Sequence, residues 1–129
     1  MTITPFYAGL LAIWFFVLSV RVIKGRGGNG PSLGDGGDPA MQRLIRGHAN
    51  FTEYVSLILL MMAMLEWGGM RGWLMHVLGA TLLVARLLHG YALSFSDKFK
   101  FGRFYGTALT FVVLLTTAGL CVWQGCKGF

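Results

Sequence analysis

Residues 41–60, MQRLIRGHANFTEYVSLILL, decide how the rest of this chain is interpreted. The first half carries polar and charged side chains, among them Arg46 and Glu53, and the second half becomes an apolar run. Such a run is typical of a membrane-spanning helix, in which ionisable residues are costly and mark functional sites. The stretch is therefore predicted to be both a transmembrane span and part of a site.

The composition of the whole chain also indicates a membrane protein. Of its 129 residues, 55% are hydrophobic and 12% are charged, and the mean hydropathy is +0.63. A soluble domain carries about 25% charged residues. The net charge of +6 lies beside long apolar segments, where cationic residues set membrane topology and meet anionic lipid. This placement argues against nucleic-acid binding.

Four apolar segments predict an all-α membrane protein, a bundle of four transmembrane helices in one domain over residues 1–129. The predicted spans are residues 3–23, 40–67, 71–95 and 103–124. The glycine-rich loop 24–39 separates the first two, and Asp38 followed by Pro39 is a strong signal for a helix start. The cations near the first span follow its apolar run instead of preceding it, which favours a retained span over a cleaved signal peptide.

The distribution of basic residues predicts the orientation. Seven of them lie beside one face of the membrane, namely Arg21, Lys24, Arg26, Arg43, Lys98, Lys100 and Arg103. Arg71 and Lys127 lie beside the other face. By the positive-inside rule, the 24–39 loop is cytoplasmic and both termini are on the non-cytoplasmic side.

The polar side chains of the second helix recur at steps of three and four residues. Arg43, Arg46, Asn50 and Glu53 therefore share one stripe on the cytoplasmic half of the helix, and His48 points to the opposite side. An alternative is that Arg46 and Glu53 only pair with other helices and so fix the register of the bundle, a role that buried ions have.

The third helix carries a second polar group near its cytoplasmic end. Arg86 and His89 share a face, whereas Tyr91 projects elsewhere. Because the second and third helices are antiparallel, Arg86 is expected to meet Asn50 or Glu53. The two cysteines form no metal-binding motif, so no metal site is predicted.

Two segments resemble a known family. The segment RLIRGHANFTEY, residues 43–54, resembles the second-helix signature of the MAPEG family, the membrane-associated proteins in eicosanoid and glutathione metabolism. The segment ARLLHGY, residues 85–91, is similar to the third-helix signature of the same family. The resemblance covers essentially the whole chain and is nearest to the short bacterial branch. It implies a homotrimer in a bacterial inner membrane, with glutathione as co-substrate between subunits near the cytoplasmic face.

The resemblance also implies roles for individual residues. The implied glutathione-binding residues are Arg43, Arg46, Asn50, Glu53, Tyr54, His89 and Tyr91. Arg103 is the residue expected to stabilise the glutathione thiolate, with Arg86 as the reserve, because a neighbouring cation raises the reactive fraction of a thiol. Several family members have a tyrosine where this chain has Leu93.

Three functions follow as hypotheses. The first is a membrane-bound glutathione transferase or peroxidase that acts on lipophilic electrophiles, with isomerase activity also open. The second is a lipid-binding or scaffold protein without turnover, which Leu93 in place of the tyrosine favours. The third is a small multidrug exporter, which is disfavoured because residues 3–23 contain no carboxylate.

Overall fold

The four predicted spans form four long helices in a computed structural model, which describes residues 1–27, 33–95 and 100–127. The helices are α1 (Ile3–Arg26), α2 (Pro39–Trp67), α3 (Gly72–Ser94) and α4 (Lys100–Lys127). Each is long and apolar enough to cross a membrane. The prediction of an all-α, four-span protein is confirmed for the described residues, whereas the side of the termini and the trimer remain predictions.

The helix ends follow local sequence signals. The carboxylate of Asp38 accepts a hydrogen bond from the Ala40 amide at 3.0 Å and caps α2, as predicted. At the other end Gly69 has φ +87°, and the Met70 amide donates to the Leu65 carbonyl at 3.0 Å. This glycine-terminated turn reverses the chain, so that α2 and α3 run antiparallel.

The two cytoplasmic connections differ from the predicted boundaries. Helix α1 continues to Arg26, about one turn beyond the predicted span, and α4 begins at Lys100, about one turn earlier than predicted. Residues 28–32 of the predicted 24–39 loop and residues 96–99 of the predicted connection before α4 lie outside the described residues. Among the described residues, α1 and α4 therefore extend the bundle towards the predicted cytoplasmic side.

Helix α3 is the central element of the bundle. In its most apolar 18-residue window 56% of the residues are buried, against 17–33% in the other three helices. It packs against α1, α2 and α4, whereas the described parts of α1 and α4 do not pack against each other. Helices α2 and α3 therefore form the middle of the bundle, with α1 on one side and α4 on the other.

Helix α1 docks on α3 through two aromatic side chains that lie over glycines. The Tyr7 ring covers Gly79, and the Trp14 indole covers Gly90, where a Cβ atom would lie 2.6 Å from Nε1. The Trp14 Nε1–H group also donates to the Arg86 carbonyl at 3.0 Å. In lipid there is little hydrophobic gain between helices, so close packing at small residues and interhelical hydrogen bonds hold such a contact together.

A carboxylate on α2 caps the start of α1. Glu66 accepts hydrogen bonds from the backbone amides of Thr2, Ile3 and Thr4 at 2.9, 2.8 and 2.7 Å. The first amides of a helix have no partner within the helix and carry the positive end of its dipole. The Glu66 side chain therefore provides both an acceptor and a complementary charge, a contact that sequence analysis did not predict.

We expect Glu66→Gln to lower the free energy of unfolding by about 2 kcal/mol, because one carboxylate oxygen is replaced by an amide nitrogen that cannot accept from these amides. The measurement is an SDS titration of the purified protein in detergent, followed by circular dichroism. Glu53→Gln, which removes a carboxylate from a side chain of the same helix that is 52% exposed, is the matched control and should cost less than about 1 kcal/mol. Equal transition midpoints for the two variants would contradict the cap.

Candidate functional site

The centre of the candidate site is the buried side chain of Arg86 on α3. Arg86 is 1% exposed, and its Nη2 atom donates a hydrogen bond to Nδ1 of His89 at 3.3 Å. The guanidinium carbon lies 5.7 Å from the centroid of the Phe51 ring on α2, within the range of a cation–π contact. Within the described residues its Nε has no hydrogen-bond partner and no carboxylate forms an ion pair with it.

This environment leaves a buried positive charge without a counter-ion among the described residues. A hydrogen bond to a neutral imidazole and an aromatic face offset only part of the cost of removing a guanidinium from water. Because Arg86 donates to Nδ1 of His89, that nitrogen must be the unprotonated acceptor. The Arg86–His89 pair therefore carries a positive charge that could bind an anion.

Two more predicted arginines come close to this pair. Three positive charges lie near enough to His89 to interact with it electrostatically. They belong to Arg86 on α3, Arg103 on α4 and Arg46 on α2. The side chain of Tyr54 also lies near Arg86. The structure thus brings together side chains from α2, α3 and α4 that are distant in sequence.

Helix α4 reaches this position through a close contact at Gly106. A Cβ atom on Gly106 would lie 2.7 Å from the Ala85 carbonyl oxygen and 2.7 Å from the His89 Cβ. The α4 backbone therefore lies directly against α3 beside His89. Arg103 is one turn before Gly106, so this contact positions the start of α4 next to the Arg86–His89 pair.

The polar stripe of α2 lies on the surface of the subunit. Arg46 Nη1 and Glu53 Oε1 are 3.9 Å apart, and the two side chains are 58% and 52% exposed. Asn50 lies between them in sequence and is half-buried. Arg46 and Glu53 thus pair with each other within one helix and at the surface, and among the described residues neither forms the ion pair with another helix that the alternative requires.

The predicted contact of Arg86 with Asn50 or Glu53 is absent among the described residues. Phe51 lies beneath the guanidinium instead. Phe51 is one residue on from Asn50, about 100° further round the helix, so the polar stripe is turned away from α3. Sequence analysis did not single out Phe51, although its place beside the stripe would have indicated an aromatic partner for a cation on α3.

The remaining predicted residues have separate surroundings. The Tyr54 ring is half-buried, with its centroid 5.6 Å from that of Phe111 on α4. Arg43 lines a cavity with Arg21, and the Tyr91 ring stacks on Phe95 at a centroid distance of 5.7 Å.

On the other side of α2, His48 faces α1, as predicted. Its Nε2 lies 3.1 Å from the Ser19 hydroxyl oxygen, and its ring stacks on Phe15 at a centroid distance of 4.6 Å. In the parts of the chain that the structure describes, no group of three or more His, Cys, Asp or Glu residues is placed to hold a metal ion.

These features define an integral, multi-pass membrane protein with a basic polar site at one end of its helix bundle. The chain belongs to the MAPEG family, whose sequence pattern matches residues 4–123. It is similar to the inner membrane protein YecN of Escherichia coli strain K12, with 31% identity over 121 residues, 94% of this chain and 91% of the relative. YecN of Escherichia coli O6:H1 gives the same figures. No solved structure matches the chain. The family resemblance of the two helix signatures is confirmed.

We expect Gly106→Ala to lower the free energy of unfolding by about 1–3 kcal/mol, because the added methyl group meets the α3 backbone and overpacks the contact. Gly119→Ala on the same helix is the control, since a Cβ atom there meets nothing within 4 Å. Its expected effect is a small gain of up to about 1 kcal/mol from helix propensity. An SDS titration in detergent compares the two, and a stabilising Gly106→Ala would contradict the close contact.

Proposed function

We propose that this protein is a glutathione-dependent enzyme of the bacterial inner membrane, a transferase or peroxidase that acts on lipophilic electrophiles. The observation that carries the proposal is the buried guanidinium of Arg86, which has no carboxylate partner among the described residues, with Arg46 and Arg103 close enough to act on the same histidine. Membership of a family of membrane proteins in glutathione metabolism supports the same direction.

The charges of the site suit glutathione. The tripeptide has two carboxylates and one ammonium group, so a site for it needs an excess of cations and a single anion. Arginine pairs with carboxylates through its planar fork of donors, and Glu53 beside Arg46 supplies the anion for the ammonium group. Asn50 and Tyr54 add uncharged hydrogen-bonding groups on the same helix.

The exposure of the α2 stripe supports a pocket between subunits. Arg46 and Glu53 are each more than half exposed on a helix that spans the membrane. Charged groups that face hydrocarbon are costly, so a covering surface of protein and bound glutathione stabilises them. A homotrimer places a second copy of the chain against this face, as expected for the family.

In the predicted orientation, the site faces the compartment that contains the co-substrate. The positive-inside rule places the start of α2, the end of α3 and the start of α4 on the cytoplasmic side. Reduced thiols are abundant in the cytoplasm. Lipophilic electrophiles partition into the bilayer, so the two reactants meet at the membrane surface.

The chemistry requires a stabilised thiolate. The glutathione thiol loses its proton to solvent, and the sulfur then attacks the electrophile, forming a carbon–sulfur bond as the leaving group departs with the displaced electron pair. Arg103 is exposed at the start of α4, in a position to contact a bound ligand. Its charge, together with that of buried Arg86, would favour the thiolate over the thiol.

We expect Arg103→Ala to reduce the fraction of bound glutathione present as thiolate by up to about tenfold, because loss of an adjacent cation raises the thiol pKa by about one. Stopped-flow ultraviolet absorbance on mixing the purified protein with glutathione measures the thiolate. Arg71→Ala removes an exposed arginine at the opposite end of the bundle and should leave the signal unchanged. Equal signals in wild type and Arg103→Ala would remove Arg103 from this role.

We also expect Arg46→Ala to weaken glutathione binding about tenfold or more, because a charge-assisted hydrogen bond to a carboxylate is lost. Isothermal titration calorimetry measures the affinity, and light scattering checks that the oligomer is intact. Arg71→Ala is again the control. If the wild-type protein binds no glutathione but keeps a lipid through detergent exchange, the non-catalytic, lipid-binding alternative replaces this proposal.

A further inference from the structure

A basic cavity, separate from the residues around Arg86, lies where the ends of α1 and α3 meet the start of α2. It has a volume of about 230 Å³ and is lined by Arg21 from α1, Arg43 from α2 and Ser94 from α3, with Phe95 following α3. Among the described residues that line it, none is a carboxylate. We refer to it as the Arg21–Arg43 cavity. Two arginines, with no acid among the described lining residues, give it a positive potential.

The structure holds the Arg21 guanidinium in a fixed position. Its Nη2 donates to the Ser94 carbonyl at 2.6 Å, and its central carbon lies 4.3 Å from the centroid of the Phe95 ring. The Phe95 ring in turn stacks on Trp14 at a centroid distance of 6.1 Å. A guanidinium held by a hydrogen bond and an aromatic face loses little freedom when it binds a ligand.

Two polar atoms in the wall of the cavity have no partner. The Nε of Arg21 and the Oγ of Ser94 are both buried and make no hydrogen bond with any described residue. Ser94 is 5% exposed, so its hydroxyl group is removed from bulk solvent. A buried polar group without a partner is costly, and a ligand with several acceptor oxygens would satisfy both atoms.

We propose that the Arg21–Arg43 cavity binds a phosphate group. Arginine forks and a hydroxyl group are donors that match its oxygens, and the charge of the cavity is complementary. The last turns of α1 and α3 and the first turn of α2 form its walls, at the predicted cytoplasmic end of the spans. Basic pockets between helices at this level bind the headgroups of anionic lipids.

The phosphate group has two sources, a phospholipid headgroup and soluble phosphate. The cavity is separate from the residues around Arg86 that carry the proposed glutathione chemistry, so the two proposals stand or fall independently. It also gives Arg43 a ligand other than glutathione.

The test is native mass spectrometry of the purified full-length protein in detergent. One arm titrates phosphatidylglycerol against diacylglycerol with the same acyl chains, which lacks only the phosphate headgroup. The second arm titrates inorganic phosphate, alone and in competition with phosphatidylglycerol. Arg21→Gln and Arg43→Gln are the test variants, and Arg71→Gln is the control at the opposite end of the bundle.

We expect a phosphate-bearing ligand to bind wild type and the control Arg71→Gln equally. Its binding to Arg21→Gln and to Arg43→Gln should be weaker by at least about tenfold, since each of these two variants loses a charge-assisted contact. A preference for phosphatidylglycerol over diacylglycerol that is lost in Arg21→Gln and Arg43→Gln assigns the cavity to lipid, and a preference that both variants keep would contradict the proposal. Arginine-dependent binding of inorganic phosphate without that preference assigns it to soluble phosphate.

Two other results would also overturn the proposal. The first is equal binding of phosphatidylglycerol and diacylglycerol with no arginine-dependent binding of inorganic phosphate. The second is a loss in Arg71→Gln as large as in the test variants. Arg43→Gln keeps the test valid if Arg21→Gln unfolds, because the hydrogen bond to the Ser94 carbonyl belongs to Arg21. Circular dichroism and size-exclusion chromatography establish that each variant is folded.

Discussion

One turn of α3, residues 86–89, joins all four helices. The Arg86 carbonyl accepts a hydrogen bond from Trp14 of α1, and the Arg86 guanidinium lies over Phe51 of α2. His89 packs against Gly106 of α4. In lipid, each helix must satisfy its backbone internally, and helices associate through close packing and specific polar contacts. The bundle therefore depends on this turn, which contacts each of the other three helices and contains a buried cation.

The same turn links stability to the proposed chemistry. A buried arginine without a carboxylate is unfavourable in isolation, and proteins retain such groups where a ligand completes them. The contacts at Trp14 and Gly106 position α1 and α4 around Arg86. Packing that holds the helices together thus keeps both Arg103 and Arg46 near His89. The site depends on the backbone contact as much as on its charged residues.

The predicted cytoplasmic end of the bundle holds two basic groups of different character. Around Arg86 the cations come from α2, α3 and α4, and the accompanying carboxylate of Glu53 gives the mixed charge that a zwitterionic peptide requires. The Arg21–Arg43 cavity is formed by α1, α2 and α3 and has no acid among its described lining residues. An all-cationic cavity suits a ligand that is purely anionic. Charge composition therefore separates the two sites although both lie at the same end.

The sequence by itself determined the number and approximate limits of the spans, the capped start of α2 and the family. These properties depend on local hydropathy, on the Asp38–Pro39 cap and on motif spacing, each of which acts within a few turns of helix. The sharing of one site by Arg86 and His89 also followed from helical periodicity. The opposite direction of His48 was predictable for the same reason.

Only the tertiary structure decided which faces of the helices meet. The rotation of α2 about its own axis places Phe51 against Arg86 and turns the Arg46–Glu53 stripe outward, so Glu53 does not meet Arg86 as the sequence suggested. Contacts between residues that are distant in sequence leave no periodic pattern in the sequence. Examples are the hydrogen bonds of Glu66 to the start of α1, the close approach of Gly106 to α3, and the cavity that Arg21 and Arg43 share. They arise because helix rotation and depth are set by the sum of all interhelical contacts, which no single segment encodes.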